Sequence, residues 1–340
     1  MNVLICDDSG FARKQLARAL PSDWNVDLHY AANGQEGIEQ VLMGHGDLIF
    51  LDLTMPEMDG YGVLEIIKRE GLRNKVIVVS GDIQPEAYQR VMALGAIDFI
   101  KKPAAPETLQ ALLKQHGFWH AAPSNQPDAS EPLPTGVVAD AGVLITPDIR
   151  DVYQELANVA MGQAGDLLAR LLNTFVVLPI PNVNVLEVSE LHMALSAAAD
   201  SDTLSAVCQG FIGAGIAGEA LVLFHDASFQ DLAKLMNHQG PLDSTAELEL
   251  LMDTANVLIG AFLRGYANQL DTPFSQGHPV VLGQHRPIKE LINTNKSRWR
   301  RTLAIEINYR IRDYAVQCDL LLLFTEDSIA TMNNKIMHML

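Results

Sequence analysis

The first third of this 340-residue chain alternates short apolar runs, rich in β-branched residues, with amphipathic segments of helical length. The apolar runs occupy residues 3–6, 26–30, 48–51, 76–79 and 97–100. The segments with helical periodicity occupy residues 10–20, 35–42, 61–69, 86–94 and 106–115. Parallel strands need a long crossover that is usually a helix, so five such units predict a doubly wound parallel α/β sheet.

Polar residues follow the predicted strands at the points where the strands end. Asp7 and Asp8 follow the first strand, Asp52 the third, Ser80 the fourth and Lys102 the fifth. Chemistry in a doubly wound sheet collects outside the carboxyl ends of its strands, so we expect these side chains to converge. Three converging carboxylates repel one another unless they share a cation, and hard oxygen ligands favour Mg²⁺ completed by phosphate oxygens. The sequence therefore predicts a magnesium-assisted phosphoryl site.

Each residue of that site has a predicted role. Asp52 is the nucleophile that forms an acyl phosphate, and Asp7, Asp8 and Asp52 hold the metal. Lys102 stabilises charge on the transferred group, and the Ser80 hydroxyl donates to a phosphate oxygen. A flavodoxin-like core whose acids are solvated loop ends is the alternative interpretation.

Four motifs in residues 1–116 resemble the receiver domain of two-component response regulators, the CheY-like family. They are Asp7-Asp8 followed by Ser9, DLTMPEMDG from Asp52 to Gly60, VVSG ending at Gly81, and FIKKP ending at Pro103. The resemblance implies a flavodoxin-like fold with strand order 2-1-3-4-5, phosphorylation of Asp52 by a histidine kinase, and Mg²⁺ as cofactor. It also implies a conformational switch that involves Ser80 and the aromatic residue Phe99. Thr54, two residues after the nucleophile, is expected either to tune hydrolysis or to be a solvated loop residue.

Residues 118–147 are rich in Pro, Ala, Ser and Gly and predict a flexible linker between a receiver at 1–117 and a second domain at 148–340. The second domain contains an internal repeat. D-x3-E-x2-N, followed by 22 residues and Pro181, recurs 98 residues later as E-x3-D-x2-N, 22 residues and Pro279. LVLFHDAS at 221–228 likewise matches LLLFTEDS at 321–328. We therefore expect an α/β (α+β) domain of two pseudosymmetric halves.

The repeated motif projects three polar side chains from one helical face, because its residues are spaced by four and three. The first copy consists of Asp151, Glu155 and Asn158. A carboxylate and a carboxamide on one face are suited to gripping a lysine and orienting a water, although a solvated helix shows the same spacing.

The duplicated motif resembles the CheC/CheX/FliY family of response-regulator phosphatases. In that family the Glu engages the lysine of a receiver, and the Asn positions the water that attacks the aspartyl phosphate. The resemblance assigns these roles to Glu155 and Asn158, with Asp151 as support. The second copy, which comprises Glu249, Asp253 and Asn256, has Asp in place of Glu, so we expect a weaker or silent centre.

The two resemblances imply a chemotaxis-type signalling enzyme that hydrolyses the aspartyl phosphate of a CheY-like receiver, either a separate protein or its own. The alternative is a non-catalytic, phosphorylation-switched module that binds a chemoreceptor-array or flagellar-motor component. A homodimer through the duplicated domain is compatible with both. The net charge of −17 argues against nucleic acid as a partner. The first residues have no signal-peptide pattern and no run of 18 apolar residues occurs, so we expect a cytoplasmic protein without membrane insertion.

Overall fold

The computed structural model describes residues 1–120, 146–187, 203–287 and 301–339. Within these residues the chain forms a five-stranded parallel sheet followed by an eight-stranded antiparallel sheet. The first sheet is the one predicted from the alternation of strands and helices. Among the helices of the described residues, none combines the length and the apolar character needed to span a membrane.

The parallel sheet has strand order β2-β1-β3-β4-β5, which confirms the predicted flavodoxin-like architecture. Its strands are β1 (Asn2–Cys6), β2 (Asp27–Ala31), β3 (Leu48–Leu51), β4 (Lys75–Ser80) and β5 (Asp98–Lys101). Its helices are α1 (Gly10–Ala19), α2 (Gly34–Leu42), α3 (Gly60–Arg69), α4 (Pro85–Leu94) and α5 (Pro106–Gln115). The central strands read as continuous apolar runs because helices cover both faces of the sheet.

Local sequence fixes where these helices begin. The side chains of Ser9, Asn33 and Asp59 accept hydrogen bonds from backbone N–H groups in the first turns of α1, α2 and α3. Proline occupies the first turn of α4 and of α5, where its missing N–H costs nothing. These helix starts all follow the carboxyl ends of the strands, at the edge of the sheet where the predicted site lies.

The antiparallel sheet belongs to the second half of the chain and has the order β10-β8-β9-β13-β12-β6, with β11 paired to β8 and β7 paired to β12. Its strands are β6 (Val176–Val177), β7 (Asn182–Glu187), β8 (Thr203–Gly213), β9 (Ile216–His225), β10 (Ser275–Gln276), β11 (Val280–Pro287), β12 (Arg301–Ile311) and β13 (Gln317–Thr325). Its helices are α6 (Pro147–Leu172), α7 (Phe229–Leu235), α8 (Ser244–Gln269) and α9 (Glu326–Met337). Helices α6 and α8 pack together in one hydrophobic core with the sheet.

The two halves of this domain repeat each other in structure as they do in sequence. Helices α6 and α8 each have 26 residues, and each is followed by a residue in the left-handed region, Asn173 (φ 49°) and Asp271 (φ 46°). Val177 of the first half pairs with Arg310 of the second, and Ser275 of the second half pairs with Ile212 of the first. Both strand pairings are related by the same shift of 98 residues, so the pseudosymmetry extends to the register.

The predicted linker at 118–147 lies mostly outside the described residues. At its start, Phe118 and Trp119 pack against the core of the parallel-sheet domain, and the Trp119 indole donates to Asp23. At its end, Thr146 caps α6 and Pro147 is the first helical residue. Aromatic packing and helix capping thus reach into the predicted linker at both of its ends.

Candidate functional site

The carboxyl edge of the parallel sheet brings together the predicted acidic residues. One carboxylate oxygen from each of Asp7, Asp8 and Asp52 lies within 4.8 Å of the others. Asp7 and Asp52 are buried, and Asp8 is partly exposed. The backbone N–H of Thr54 donates to Asp52 Oδ2 at 3.1 Å and fixes the orientation of that carboxylate. Three hard oxygen donors in this arrangement fit a Mg²⁺ ion that keeps several waters.

Lys102 lies at the centre of a buried ion-pair network. Its ammonium is 2.7 Å from Asp7 Oδ2 and 3.2 Å from Asp52 Oδ1. It is also 3.2 Å from Oε1 of Glu155, a residue of helix α6 in the other domain. All four side chains are almost fully buried, so this network joins the two domains through charges that water hardly screens.

The network contains more carboxyl groups than cations, and this raises several pKa values. Burial raises the pKa of Asp52 well above its usual range and that of Glu155 to about 7, while the Lys102 ammonium opposes both shifts. Burial, with Asp7 nearby, raises the pKa of Asp8 to about 6. Burial acts to lower the pKa of Lys102, but the three carboxylates together outweigh it and raise that pKa. The pocket thus has a surplus of negative charge that a divalent cation would neutralise.

Helix α6 approaches the parallel-sheet domain closely enough for backbone contact. A Cβ atom added to Gly162 would lie 1.8 Å from the carbonyl oxygen of Gly81, at the end of β4. At the start of α6, Asp151 Oδ2 accepts a 2.7 Å hydrogen bond from the backbone N–H of Phe11 in α1. The Phe11 side chain packs into the core of the second domain. Glycine at 162 is therefore required by the distance between the two backbones.

Two further contacts hold the domains together beside the helix. The side-chain amide of Gln84 bonds to the backbone of Val176 in β6, with Nε2 to O at 2.8 Å and N to Oε1 at 2.9 Å. Arg312 pairs with Glu86 in α4 and lies over the ring of Phe175. These residues extend the interface from α6 to the edge of the antiparallel sheet.

Asn158 lies one helical turn after Glu155 and is buried at the same junction. A cavity of about 10 Å³ is lined there by residues of both domains: Asp8, Ser9, Thr54, Gln154, Glu155, Asn158, Ile180 and Pro181. A polar cavity of this size holds about one water molecule. The carboxamide of Asn158 and the metal-site carboxylate of Asp8 thus border one water-sized space.

The remaining residues predicted for the first site lie around it. Ser80 is fully buried at the end of β4, and its hydroxyl accepts from the backbone N–H of Asp82 at 3.1 Å. Phe99 in β5 is partly buried and makes an edge contact with the exposed Tyr88 ring of α4, with centroids 5.9 Å apart. Phe99 also packs against one of the two hydrophobic cores of the parallel-sheet domain.

The second copy of the motif lies on an open face of α8. Glu249, Asp253 and Asn256 are all exposed, in contrast to the buried Glu155 and Asn158. Gly260, which corresponds to Gly162 at the shift of 98, has no atom within 4 Å of an added Cβ among the residues that the structure describes. The structure therefore brings the first copy, and not the second, to the acidic pocket.

Phe11, Gln84 and Gly162 are among the interface residues that the sequence-based prediction did not include. A signal existed for Gly162 alone, because glycine recurs at position 260 in phase with the repeated motif. No local sequence pattern marks Gln84 or Phe11 as an interface residue, because their partners lie 92 and 140 residues away in the chain.

Comparison with known proteins adds relatives for the first domain. The model of the response regulator receiver domain matches residues 3–114. The chemotaxis protein CheY of Treponema pallidum is 37% identical over 103 residues, which cover 30% of this chain and 72% of that protein. A protein-glutamate methylesterase/protein-glutamine glutaminase of Symbiobacterium thermophilum is 36% identical over 175 residues, 50% of this chain and 43% of that protein.

The chain spans less than half the length of the methylesterase relatives that it matches. Among solved structures, the crystal structure of Thermotoga maritima FliY is similar with 16% identity and a TM-score of 0.45, and the match covers 58% of this chain and all of that one.

Proposed function

Because this chain belongs to the response-regulator receiver family, we propose that Asp52 accepts a phosphoryl group from a histidine kinase and that the second domain removes it. The observation that carries the second part is the ion pair between Glu155 of α6 and Lys102 of the receiver. It points the repeated Glu/Asn motif directly at the phosphorylation site of the same chain. The protein is thus a response-regulator phosphatase whose first substrate is its own receiver.

Phosphorylation uses the residues of the acidic pocket. An Asp52 carboxylate oxygen attacks the phosphorus of the kinase phosphohistidine, and the P–N bond breaks as the acyl phosphate forms. Asp7, Asp8 and Asp52 would hold Mg²⁺, which when bound neutralises charge on the phosphoryl oxygens. Lys102 is positioned to contact the same oxygens. The Ser80 hydroxyl acts as a switch by donating a hydrogen bond to an oxygen of the new phosphate.

Hydrolysis uses the residues of α6. Glu155 holds Lys102, and with it the receiver, in register against the helix. Asn158 orients a water in the cavity that it shares with Asp8 and Thr54. The water oxygen attacks phosphorus, the bond from phosphorus to the Asp52 oxygen breaks, and both water protons leave with the inorganic phosphate, H₂PO₄⁻. Asp52 is regenerated as a carboxylate.

The exposed second motif extends the proposal to a separate partner. Because the receiver of this chain covers the first motif, the open face of Asp253 and Asn256 is available to a phosphorylated CheY-like receiver in trans. Asp253 is one methylene shorter than Glu155, so this centre is the weaker of the two. The expected partners are a histidine kinase and a cytoplasmic receiver of a chemotaxis-type system.

The methylesterase name of several relatives does not fit the contacts of the second domain. Ser205, Asp226 and His285 touch one another, but the Asp lies between the other two: it is 2.9 Å from the Ser205 hydroxyl and 3.0 Å from His285 Nδ1. A serine nucleophile needs the histidine as its direct base, and Ser205 is fully buried. These residues therefore tie strands together and do not form a hydrolytic triad.

The test follows the lifetime of the aspartyl phosphate in the full chain with Mg²⁺ and a small-molecule phosphodonor. The double variant Glu155→Ala/Asn158→Ala is expected to lengthen that lifetime by at least about 100-fold, since both water orientation and receiver placement are lost. Asp253→Ala/Asn256→Ala is the matched control and is expected to leave the cis reaction unchanged. Asp52→Asn is expected to abolish labelling.

An unchanged lifetime in the Glu155→Ala/Asn158→Ala variant would refute the enzymatic proposal. It would favour the alternative in which the second domain is a phosphorylation-switched binding module for an array or motor component. Labelling that persists in Asp52→Asn would contradict the assignment of the phosphorylation site.

A further inference from the structure

Among the described residues, strand β6 ends the antiparallel sheet, and the edge that is not paired with β12 faces Gln84 of the receiver. On its other side, β6 pairs with β12, and the carbonyl of Phe175 accepts from the backbone N–H of Arg312 at 3.2 Å. Because successive residues of a strand direct their N–H and C=O groups to opposite sides, those of Val176 point away from β12. Val176 is fully buried, so both groups need partners from another element.

The side chain of Gln84 supplies both partners. Its amide nitrogen donates to the Val176 carbonyl at 2.8 Å, and its carbonyl accepts from the Val176 N–H at 2.9 Å. Gln84 is the N-cap residue of α4, yet its side chain makes no capping hydrogen bond there. Its carboxamide thus acts on β6 as the peptide group of an added strand would.

We propose that Gln84 is the specificity-determining residue by which the second domain selects its own receiver. The inference rests on the proposed function in one respect: it takes the receiver docked on α6 and β6 as the arrangement in which the chain acts. The edge of β6 at Val176 accepts a receiver that presents a carboxamide just before α4. It rejects a receiver that presents a hydrocarbon or a carboxylate at that position.

The discrimination has a direct physical origin. A hydrocarbon at position 84 leaves one buried donor and one buried acceptor of Val176 unpaired. A carboxylate keeps the acceptor for the Val176 N–H but brings a second oxygen against the Val176 carbonyl. An unpaired buried group is costly, so either change is expected to weaken docking by about 10- to 100-fold.

Hydrogen–deuterium exchange of the full chain tests the proposal at a distance from the substitution. The backbone N–H of Phe11 bonds to Asp151 across the same interface, whereas Gln84 bonds to Val176, so the exchange rate of Phe11 reports docking away from the substituted side chain. Gln84→Leu and Gln84→Glu are expected to raise that rate at least about tenfold, while exchange in strand β3 shows that the receiver stays folded. Gln89→Ala, at an exposed position of α4, is the matched control and is expected to leave it unchanged.

The outcomes separate this inference from the proposed function. Protection of Phe11 that is unchanged in Gln84→Leu would overturn the role of Gln84. Loss of protection together with a longer aspartyl-phosphate lifetime supports both proposals. Loss of protection with an unchanged lifetime supports the role of Gln84 and refutes cis dephosphorylation.

Discussion

The substitution Gly162→Ala tests whether the docked receiver is the substrate of the second domain. A Cβ atom at this position would lie 1.8 Å from the Gly81 carbonyl oxygen, whereas real Cβ contacts are essentially never shorter than 3.0 Å. The carbonyl oxygen of Gly81 belongs to the backbone and cannot avoid the methyl group by a change of rotamer. The receiver must therefore move away from α6 by about 1.2 Å or more.

A displacement of that size breaks the contacts that define the site. The distance from Lys102 to Glu155 would grow from 3.2 Å to roughly 4.4 Å if the movement is along it, beyond the range of an ion pair. The bonds from Gln84 to Val176, at 2.8 and 2.9 Å, would lengthen past hydrogen-bond range in the same way. Alanine also favours the helix by about 1 kcal/mol over glycine, so α6 itself is not weakened.

The assay measures the aspartyl-phosphate lifetime and the thermal unfolding of the full chain side by side. Gly162→Ala is expected to lengthen the lifetime at least about tenfold, consistent with an overpacking cost of about 1–3 kcal/mol. Gly260→Ala is the matched control because it adds the same methyl group at the equivalent position of α8, where the described structure leaves open space. A lifetime that Gly162→Ala leaves unchanged, in a protein with normal unfolding, would refute the reasoning.

Three other substitutions have expected outcomes. Asp253→Glu restores the missing methylene of the second motif and should accelerate dephosphorylation of a separate CheY-like receiver at least several-fold; equal rates would show that this face binds no receiver. Burial, with Asp166 of α6 nearby, raises the pKa of Asp82 from 3.8 to about 6, so docking loses stability as the pH rises between those two values. Asp82→Asn should therefore slow hydrogen exchange of the Phe11 amide at neutral pH but not at pH 4 or below. The ion pair with Asp226 raises the pKa of His285, so the contribution of this pair to stability is complete below pH 6.5 and is lost as the pH rises through the raised pKa. His285→Asn should therefore lower the Tm in acid and hardly change it at pH 9. An equal loss of Tm in acid and at pH 9 would exclude the ion pair as the cause.

The sequence by itself determined the architecture of the first domain and predicted which side chains meet at the carboxyl edge of its sheet. Apolar runs with intervening helical segments identify parallel strands, because the periodicity and burial of each segment are visible in its own local sequence. The convergence of Asp7, Asp52 and Lys102 then follows, since the carboxyl ends of parallel strands share one edge. The shift of 98 residues likewise predicted two similar halves, and the pairings of Val177 and Ser275 reproduce it.

Only the tertiary structure decided which copy of the repeated motif meets the receiver. Both copies have the same helical spacing and a glycine in the same phase. The substitution of Asp253 for Glu predicts a weaker second centre, but the pattern does not show whether Asn158 or Asn256 meets the receiver of the same chain. The choice depends on groups far apart in the chain, such as Gln84 on the edge of β6 and Glu86 beside Arg312. Docking is a matter of shape and buried polar pairing between two folded surfaces, and these exist only once each domain has folded.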